Sequence, residues 1–521
     1  MAKVSPGKIN LQDVQKQEFT EQTETIEQLT KQVAKGSGIS VIGSILGKGL
    51  GTLLHIMLAR FLGASHYGVY ALGMSILGLG QSIATLGLGN GIVRFGALYR
   101  GEGNRVRIKG TFLSAIGIAL VSSLLVAAVL YIGAEPLAIH VFHEPALIGV
   151  LRILAFALPF STFVGLTASA ARSFRKMNYM VGIRTLTPAI TRLVIIALFF
   201  LLGYRLMGVM YGILASAIAS SLFGGYSLVR IFPDVISAMK PRYSFRQLLS
   251  YSIPTLFIGF SYFMLGRTDR LMIGYFKTSE SIGIYNAAAA IAILSLLAHN
   301  ALIAIFGPII SDLHHKNKMN ELMTLYKNVA KWDFSLTLFI FLALGLFSDI
   351  LLGFFGREFI RSKAVLMILS SGFLITTVPG TTGLLLRMSG RQRLDLLNSI
   401  GLIILNIMFN LWLIPIFGVV GAAIATLTSQ VLLNAVQTFE IKAIYHFIPF
   451  PKAHIRALSV GIVVALIMFL PVKILGDNLV YVPILMILFA SLYVGLSLAI
   501  VMDANERFLI RTAITKVIKR G

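Results

Sequence analysis

The 521-residue chain has no cysteine, 2 tryptophans and only 21 aspartates and glutamates. Absence of cysteine excludes disulfides, thiolate metal sites and cysteine nucleophiles. Charged residues make up 13% of the chain, about half the share in an average soluble domain. No carboxylate is expected at a helix centre, since Asp333, Asp349 and Glu440 fall near the ends of apolar runs. Phosphate-loop chemistry is absent too: Gly43 followed by Gly47-Lys48-Gly49 has the wrong spacing, no Ser or Thr after the lysine, and an apolar setting. No HExxH, no clustered His/Asp/Glu metal site and no Ser-His-Asp spacing is visible. These absences argue against an enzyme, a resident metal and direct use of ATP; no catalytic residue and no cofactor is expected.

What the chain does have is apolar length. Its AVILMFWYC content is 56%, too much for polar surface to cover. That excludes disorder, a collagen-like fibre and a nucleic-acid-binding domain. A hydrocarbon core needs about 20 mainly apolar residues per helix. Fourteen runs meet that need: 38–59, 67–93, 110–132, 147–171, 179–203, 206–231, 248–268, 281–309, 331–353, 364–387, 395–414, 418–441, 456–475 and 479–502. The short links at 203–206 and 414–418 leave 13 or 12 as alternatives. Residues 1–35 are polar, with no cleavable signal peptide; 11–34 read either as an amphipathic surface helix or as a solvated tail.

Net charge is +24, with 45 Lys and Arg. With the N-terminus inside, 33 of these cations fall in cytoplasmic segments and 9 in outer loops, leaving Lys48, Arg152 and Arg192 within helices. The bias sets the orientation, an even helix number and both termini in the cytoplasm. The localisation expected is the plasma (cytoplasmic) membrane.

The chain also repeats itself. Phe61, six residues, then Gly68-Val69-Tyr70 is matched by Phe276, six residues, then Gly283-Ile284-Tyr285. Gly208-Val209 and Leu214-Ala215-Ser216 are matched by Gly418-Val419 and Ile424-Ala425-Thr426. Offsets of 215 and 210 predict two six-helix bundles in parallel orientation, an architecture of alternating-access transporters. The fold class expected is an all-α polytopic membrane protein with two pseudo-symmetric bundles. Its parts are a cytoplasmic tail (1–35), bundles at 36–240 and 241–445, two further helices (446–505) and a basic tail (506–521).

In this order, Leu58-Ala59-Arg60-Phe61-Leu62-Gly63, Gly68-Val69-Tyr70-Ala71-Leu72, Pro254, Asp269-Arg270-Leu271-Met272-Ile273-Gly274, Gly283-Ile284-Tyr285, Arg387, Gly390-Arg391, Asn410-Leu411-Trp412-Leu413-Ile414-Pro415 and Gly421-Ala422-Ala423-Ile424-Ala425-Thr426 resemble a polysaccharide flippase of the Wzx type. That family lies within the superfamily that also holds multidrug and toxin extruders and lipid II flippases. The resemblance covers nearly the whole chain. It implies transport of a lipid-linked oligosaccharide from the cytoplasmic to the outer leaflet, with membrane lipid and a polymerase or glycosyltransferase complex as partners, no nucleic acid, and a monomer. Na+ or H+ is the candidate coupling ion.

Charges inside apolar helices are the candidate site. A Lys or Arg at a helix centre costs about 2.5–3.5 kcal/mol on insertion scales, so it faces a partner or a wet cavity. Ser44, Lys48, Thr52 and His55 share one face of the first run, beside a Gly43, Gly47, Gly51 stripe; Arg192 sits mid-run after Pro188. Lys48, His55 and Arg192 are the candidate lining of a cationic cavity for an anionic substrate; the structural alternative is helix–helix hydrogen bonding. A lipid diphosphate presents oxygens that Arg binds in a bidentate way. Arg60, Arg267, Asp269 and Arg270 are candidate gate residues at outer ends, with interfacial snorkelling as the alternative. Arg94 and Arg100 are candidates for first capture, or plain inner-loop charge. His299 and Asn300, with Asn286 earlier in the run, are candidates for a second-half cavity or a proton site. Gln81, Asn90, Asn406, Asn410, Gln430 and Asn434 are candidate sugar contacts or interhelical bonds. A multidrug-type cation antiporter is the first alternative function, and a scaffold of an envelope-assembly complex the second.

Overall fold

A computed structural model describes residues 11–447, 453–476, 478, 480–503 and 506–507. Those residues are helical apart from short links. In hydrocarbon every backbone N–H and C=O must find a partner inside its own segment, and a helix achieves that. Ten helices among the described residues are long and apolar enough to cross a membrane, or twelve when two bent pairs, at 46–101 and 245–276, each count as one span. The chain is a polytopic membrane protein. Its outward faces are correspondingly greasy: Leu125, Val129 and Ile132 on Arg105–Ile132, and Leu466, Phe469 and Leu470 on Ala453–Leu475, are all exposed.

The first two runs, with the polar stretch before them, are one helical stretch, Leu11–Ala84, broken only at Gly63 (φ 71°, ψ 170°). That conformation suits a residue without Cβ, so one glycine replaces the link expected at 60–66. Gly418 (φ 59°, ψ −134°) breaks Gln392–Tyr445 in the same way. Helix at 11–34 runs directly into the first membrane run. The helix over Phe245–Phe276 bends by 60° between Ser261 and Gly266.

The repeat-related motifs meet face to face. A Cβ on Gly68 would overlap the Ser279 carbonyl and lie 2.9 Å from Gly283 N. A Cβ on Gly283 would overlap the Ala64 carbonyl oxygen and lie 3.2 Å from its Cα. Around this contact Tyr67, Val69 and Tyr70 pack into one core with Ile282, Ile284 and Tyr285. Small residues allow this approach where lipid supplies no hydrophobic drive between helices. Further in, the 88–101 helix meets the first turns of Phe245–Phe276: Tyr99 donates to Gln247 (3.1 Å), and the Arg94 guanidinium lies 4.3 Å over the Tyr251 ring. The last helices, Ala453–Leu475 and Val482–Leu496, form a separate core with Phe334, Leu338 and Phe347.

One expectation is corrected. Asp333 stands at the midpoint of Met319–Leu346 and is fully buried, with its Oδ2 2.7 Å from His299 Nδ1. The helix begins twelve residues before the apolar run that starts at 331, so a residue at the edge of the run is central in the helix. The helix carries that carboxylate because a histidine on the neighbouring helix meets it.

Candidate functional site

A cavity of about 700 Å³ opens between the 46–62 and 64–101 helices, Leu147–Ser173, the 177–201 helix, Leu206–Ile231 and Phe245–Phe276. Its size falls in the range of ligand pockets. Gly47, Leu50, Gly51 and Leu54 form one wall. Close helix packing produces that wall: a Cβ on Gly43 would collide with Val181 and one on Gly47 with Thr185, whereas one on Gly51 would meet nothing within 4 Å. The stripe therefore presses the first helix onto the 177–201 helix at two positions and opens onto the cavity at the third. Opposite, Phe260 and Phe263 project from the bent helix.

Four arginines line the space: Arg172, Arg184, Arg192 and Arg267. No Asp, Glu, Lys or His is among the lining residues. Arg172 lies in the last turn of Leu147–Ser173, and Arg184 follows the short link to the next helix; both are exposed. Arg184 and Thr185 sit in a π-helical turn, Gly182–Leu186, a distortion that frequently marks functional sites. Arg192 and Arg267 are half-buried deeper in, and the fields of both bear on His55 and Tyr70. Arg192 Nε is buried with no hydrogen-bond partner among the described residues. A buried guanidinium N–H without an acceptor is costly, and an anion in the cavity removes that cost. Neutral polar groups complete the lining: Gln81, Ser82, Thr85, Asn90, Ser161, Ser169, Ser216, Ser220 and Thr255.

The other candidates are placed as follows. Lys48 is half-buried and is not among the lining residues, which lie about 100° round the helix at Gly47 and about 60° round it at Gly51. The Ser44 side chain lies outside the described residues. His55 Nδ1 is 3.0 Å from Tyr67 Oη, and Asn286 donates to the same hydroxyl at 2.7 Å. Arg270 donates through Nε to Asn286 (2.6 Å) and through a terminal nitrogen to the Gly266 carbonyl (2.7 Å). A polar thread thus runs from His55 through Tyr67 and Asn286 to Arg270. Arg60 is exposed, and Arg100 lies 5.9 Å from the Phe174 ring. Asn300 donates to the Leu296 carbonyl (2.7 Å) of its own helix.

Asp269 makes no ion pair with Arg60, Arg267 or Arg270 among the described residues. Its carboxylate instead accepts from Tyr285, from Asn410 (3.0 Å), from Thr426 (2.7 Å) and, more loosely, from Asn406 (3.4 Å). Residues two apart on a helix point about 200° from each other, so Arg267 faces the cavity while Asp269 faces the helices opposite. A cradle of neutral donors holds the carboxylate. Of the candidate sugar contacts, Gln81 and Asn90 line the cavity, while Asn406 and Asn410 are engaged with Asp269.

Arg172 and Arg184 are the residues that sequence reading missed. Both were counted among cytoplasmic loop cations, and nothing in composition separates a loop cation from one that turns inward. The usable signal was their position on either side of a link of only a few residues.

Known proteins resemble this chain at both levels. A family model described as polysaccharide biosynthesis protein matches residues 33–314. A protein of Haloferax volcanii, named a probable low-salt glycan biosynthesis flippase, is 28% identical over 403 residues, covering 76% of this chain and 81% of its own. A lipid II flippase in an inward closed conformation superposes with a TM-score of 0.66 at 15% identity, covering 88% of this chain and 97% of its own. An inward-facing multidrug resistance transporter superposes with a TM-score of 0.59 at 16% identity, covering 76% and 95%. The two structures share the fold.

Proposed function

The chain belongs to the polysaccharide biosynthesis protein family, and from that premise we propose that it is a flippase, a transporter and not an enzyme. It moves a lipid-linked (diphosphate) oligosaccharide from the cytoplasmic to the outer leaflet of the plasma membrane for cell-surface polysaccharide synthesis. The observation that carries the reading is the cavity lined by four arginines and no carboxylate. Guanidinium groups bind phosphate oxygens in a bidentate way, and the cavity holds a diphosphate with its first sugars while the lipid tail stays in the bilayer. A cation exporter needs the opposite polarity, and a scaffold gains nothing from uncompensated buried guanidinium.

The breaks at Gly63 in Leu11–Ala84 and at Gly418 in Gln392–Tyr445 support a reading of fourteen crossings, as two six-helix bundles and two added helices with both termini in the cytoplasm. Loading from the cytoplasmic leaflet requires the outer side closed, and in the proposed orientation the tight packing of Gly68 on Ser279 supports that state. Release requires the halves to rock apart there. An inside-negative potential favours outward movement of an anion by about 2.3 kcal/mol per charge per 100 mV, roughly double for a diphosphate. Coupling to Na+ or H+ is then an addition to a drive already present. The transporter works as a monomer, fed by glycosyltransferases and drained by a polymerase.

The test is flipping of a fluorescent lipid-diphosphate sugar in proteoliposomes. Arg192→Gln with Arg267→Gln should slow it at least tenfold, because each lost charged hydrogen bond is worth about 1.5–3 kcal/mol. A wild-type protein that flips no lipid diphosphate overturns the reading.

A further inference from the structure

The close contact of Gly68 with Gly283 is flanked by two hydrogen bonds that cross it in opposite directions. The backbone N–H of Ala64 donates to the Glu358 carboxylate at 2.7 Å. The Ser279 hydroxyl donates to the Glu144 carboxylate. Ala64 and Ser279 stand 215 residues apart, the offset that also relates Gly68 to Gly283, and Glu144 and Glu358 stand 214 apart. The two bonds are one contact made twice. Each carboxylate lies in the first turn of a helix of its own half or just before it, at Leu147–Ser173 and at Arg357–Ser362, and reaches the start of a helix in the other half.

Local sequence explains why the two donors differ. The helix Ser279–Ala292 is capped by its own Thr278, whose hydroxyl accepts from Ser281 N. That leaves the Ser279 side chain for Glu144. The helix that resumes at Ala64 follows Gly63, which has no side chain to cap it, so its first amide is met from the other half. A carboxylate placed there also faces the positive end of the helix dipole. Ala64 and Ser279 are both buried, so a donor that loses its carboxylate is left unsatisfied while the contact stays closed. Once the contact opens, water takes the carboxylate's place.

We infer that Glu144 and Glu358 are a matched pair of gate residues, each clasping the start of a helix in the opposite half and together holding the outer side shut. The inference rests on the flippase reading above, whose two halves and orientation it uses. Removing either carboxylate raises the energy of the closed state and leaves the outward-open state, where both donors meet water, nearly unchanged. Parting the halves breaks both clasps, so their contributions multiply in the closed-to-open ratio. Glu280 differs from them although it is close in sequence to Ser279. It pairs with Arg361, both exposed and both in the second half, so that ion pair travels as one body on opening and has no part in the gate.

The chain has no cysteine, so one reporter, Ser161→Cys in the cavity lining, can be read alone. Full-length protein in sealed right-side-out vesicles meets a membrane-impermeant maleimide added outside. The labelling rate scales with the outward-open population even where that state is rare. Glu144→Ala and Glu358→Ala should each speed labelling about tenfold, and the double variant by about the product of the two. Glu144→Gln and Glu358→Gln should speed it less, because the amide oxygen still accepts; being nearly isosteric, they carry the test if an alanine variant fails to fold. Ser279→Ala should also speed labelling and add nothing to Glu144→Ala, which a general loosening of the fold would not produce. Glu280→Gln should leave the rate unchanged. Unchanged labelling in both glutamate-to-alanine variants, or Ser279→Ala multiplying the effect of Glu144→Ala, overturns the inference. Flipping of the lipid diphosphate by the wild type is read separately: its absence beside the expected labelling pattern counts against the flippase reading and leaves the gate standing.

Discussion

The close approach of Gly68 and Gly283 makes a demanding prediction about the conformational cycle. An added methyl at position 68 would lie 2.6 Å from the Ser279 carbonyl carbon and 2.9 Å from Gly283 N. Comfortable contacts begin near 3.5 Å, and the methyl would overlap the Ser279 carbonyl oxygen outright, so the two segments must separate by roughly 1.5 Å or more. These neighbours are backbone atoms within helices and cannot turn aside as a flexible side chain would. Overpacking of this kind costs about 1–3 kcal/mol, and on the proposed cycle it falls on the state in which this contact is closed. We expect Gly68→Ala to shift the equilibrium toward the outward-open state by about 5- to 150-fold, and Gly283→Ala, whose methyl overlaps the Ala64 carbonyl oxygen, to do the same. The chain's lack of cysteine provides a clean background for the assay. Spin labels at Ser65→Cys and Arg357→Cys, both exposed positions near the contact, report the distance across the outer side in lipid nanodiscs. A longer-distance population should grow in both glycine variants. Unchanged distance distributions in a variant that folds and melts like wild type would refute the argument, since the methyl would then have been accommodated inside the closed state.

Three further outcomes follow from named contacts. Removing His299 leaves the Asp333 carboxylate buried and unpaired, so His299→Ala should destabilise by about 3–5 kcal/mol, and by more than Asp333→Asn, which removes the charge; thermal unfolding in detergent that ranks them the other way would contradict this. Glu358 accepts from the Ala64 N–H at 2.7 Å, the first amide after the Gly63 break and 294 residues away in sequence. Glu358→Gln keeps an acceptor but removes a negative charge from a helix N-terminus, worth about 0.3–1 kcal/mol, so the same labels should show a smaller opening than Glu358→Ala gives. Gly47→Leu should push the first helix off Thr185 and lower lipid-diphosphate binding, whereas Gly51→Ala, facing open space, should retain most of it.

Much of the fold is legible in the sequence because each crossing needs its own apolar length, and the runs at 110–132, 147–171 and 456–475 all lie within helices. Breaks are less legible. Gly63 and Gly418 each turn the chain with one residue, and composition shows a glycine there without showing its φ. For the site, periodicity groups Lys48, Thr52 and His55 correctly on one face, yet the cavity is lined by the adjacent face carrying Gly47, Leu50, Gly51 and Leu54. A helix pattern fixes which residues travel together and leaves the direction of the face to the packing of other helices. Arg192 and Arg267 are among the cations that the sequence singles out and that line the cavity, while Arg172 and Arg184 are masked because loop cations serve topology equally well.

The buried ionisable groups divide unequally along the chain, and the division bears on how the two halves work. In the second half they have partners inside the protein: Asp269 in neutral donors from three segments, Asp333 in His299 through Oδ2 while its buried Oδ1 has none among the described residues, and Lys331 in Glu506 (2.6 Å) and Asp503 (3.2 Å). Matched groups hold helices in register and resist motion, because breaking one strands its partner in a medium of low dielectric. Around the cavity, Arg192 has no such match, and three of the four lining arginines come from residues 147–201. Among the described residues none of those three arginines is in an ion pair; Arg152 on Leu147–Ser173 meets Glu135 at 3.6 Å, and neither lines the cavity. An anion entering the cavity therefore gains its contacts at little reorganisation cost and adds cohesion to the half that lacks it. On the proposed cycle we therefore expect the second half to act as the frame and the first half as the moving element, with Arg267, on the bent 245–276 helix and in the cavity lining, linking the two.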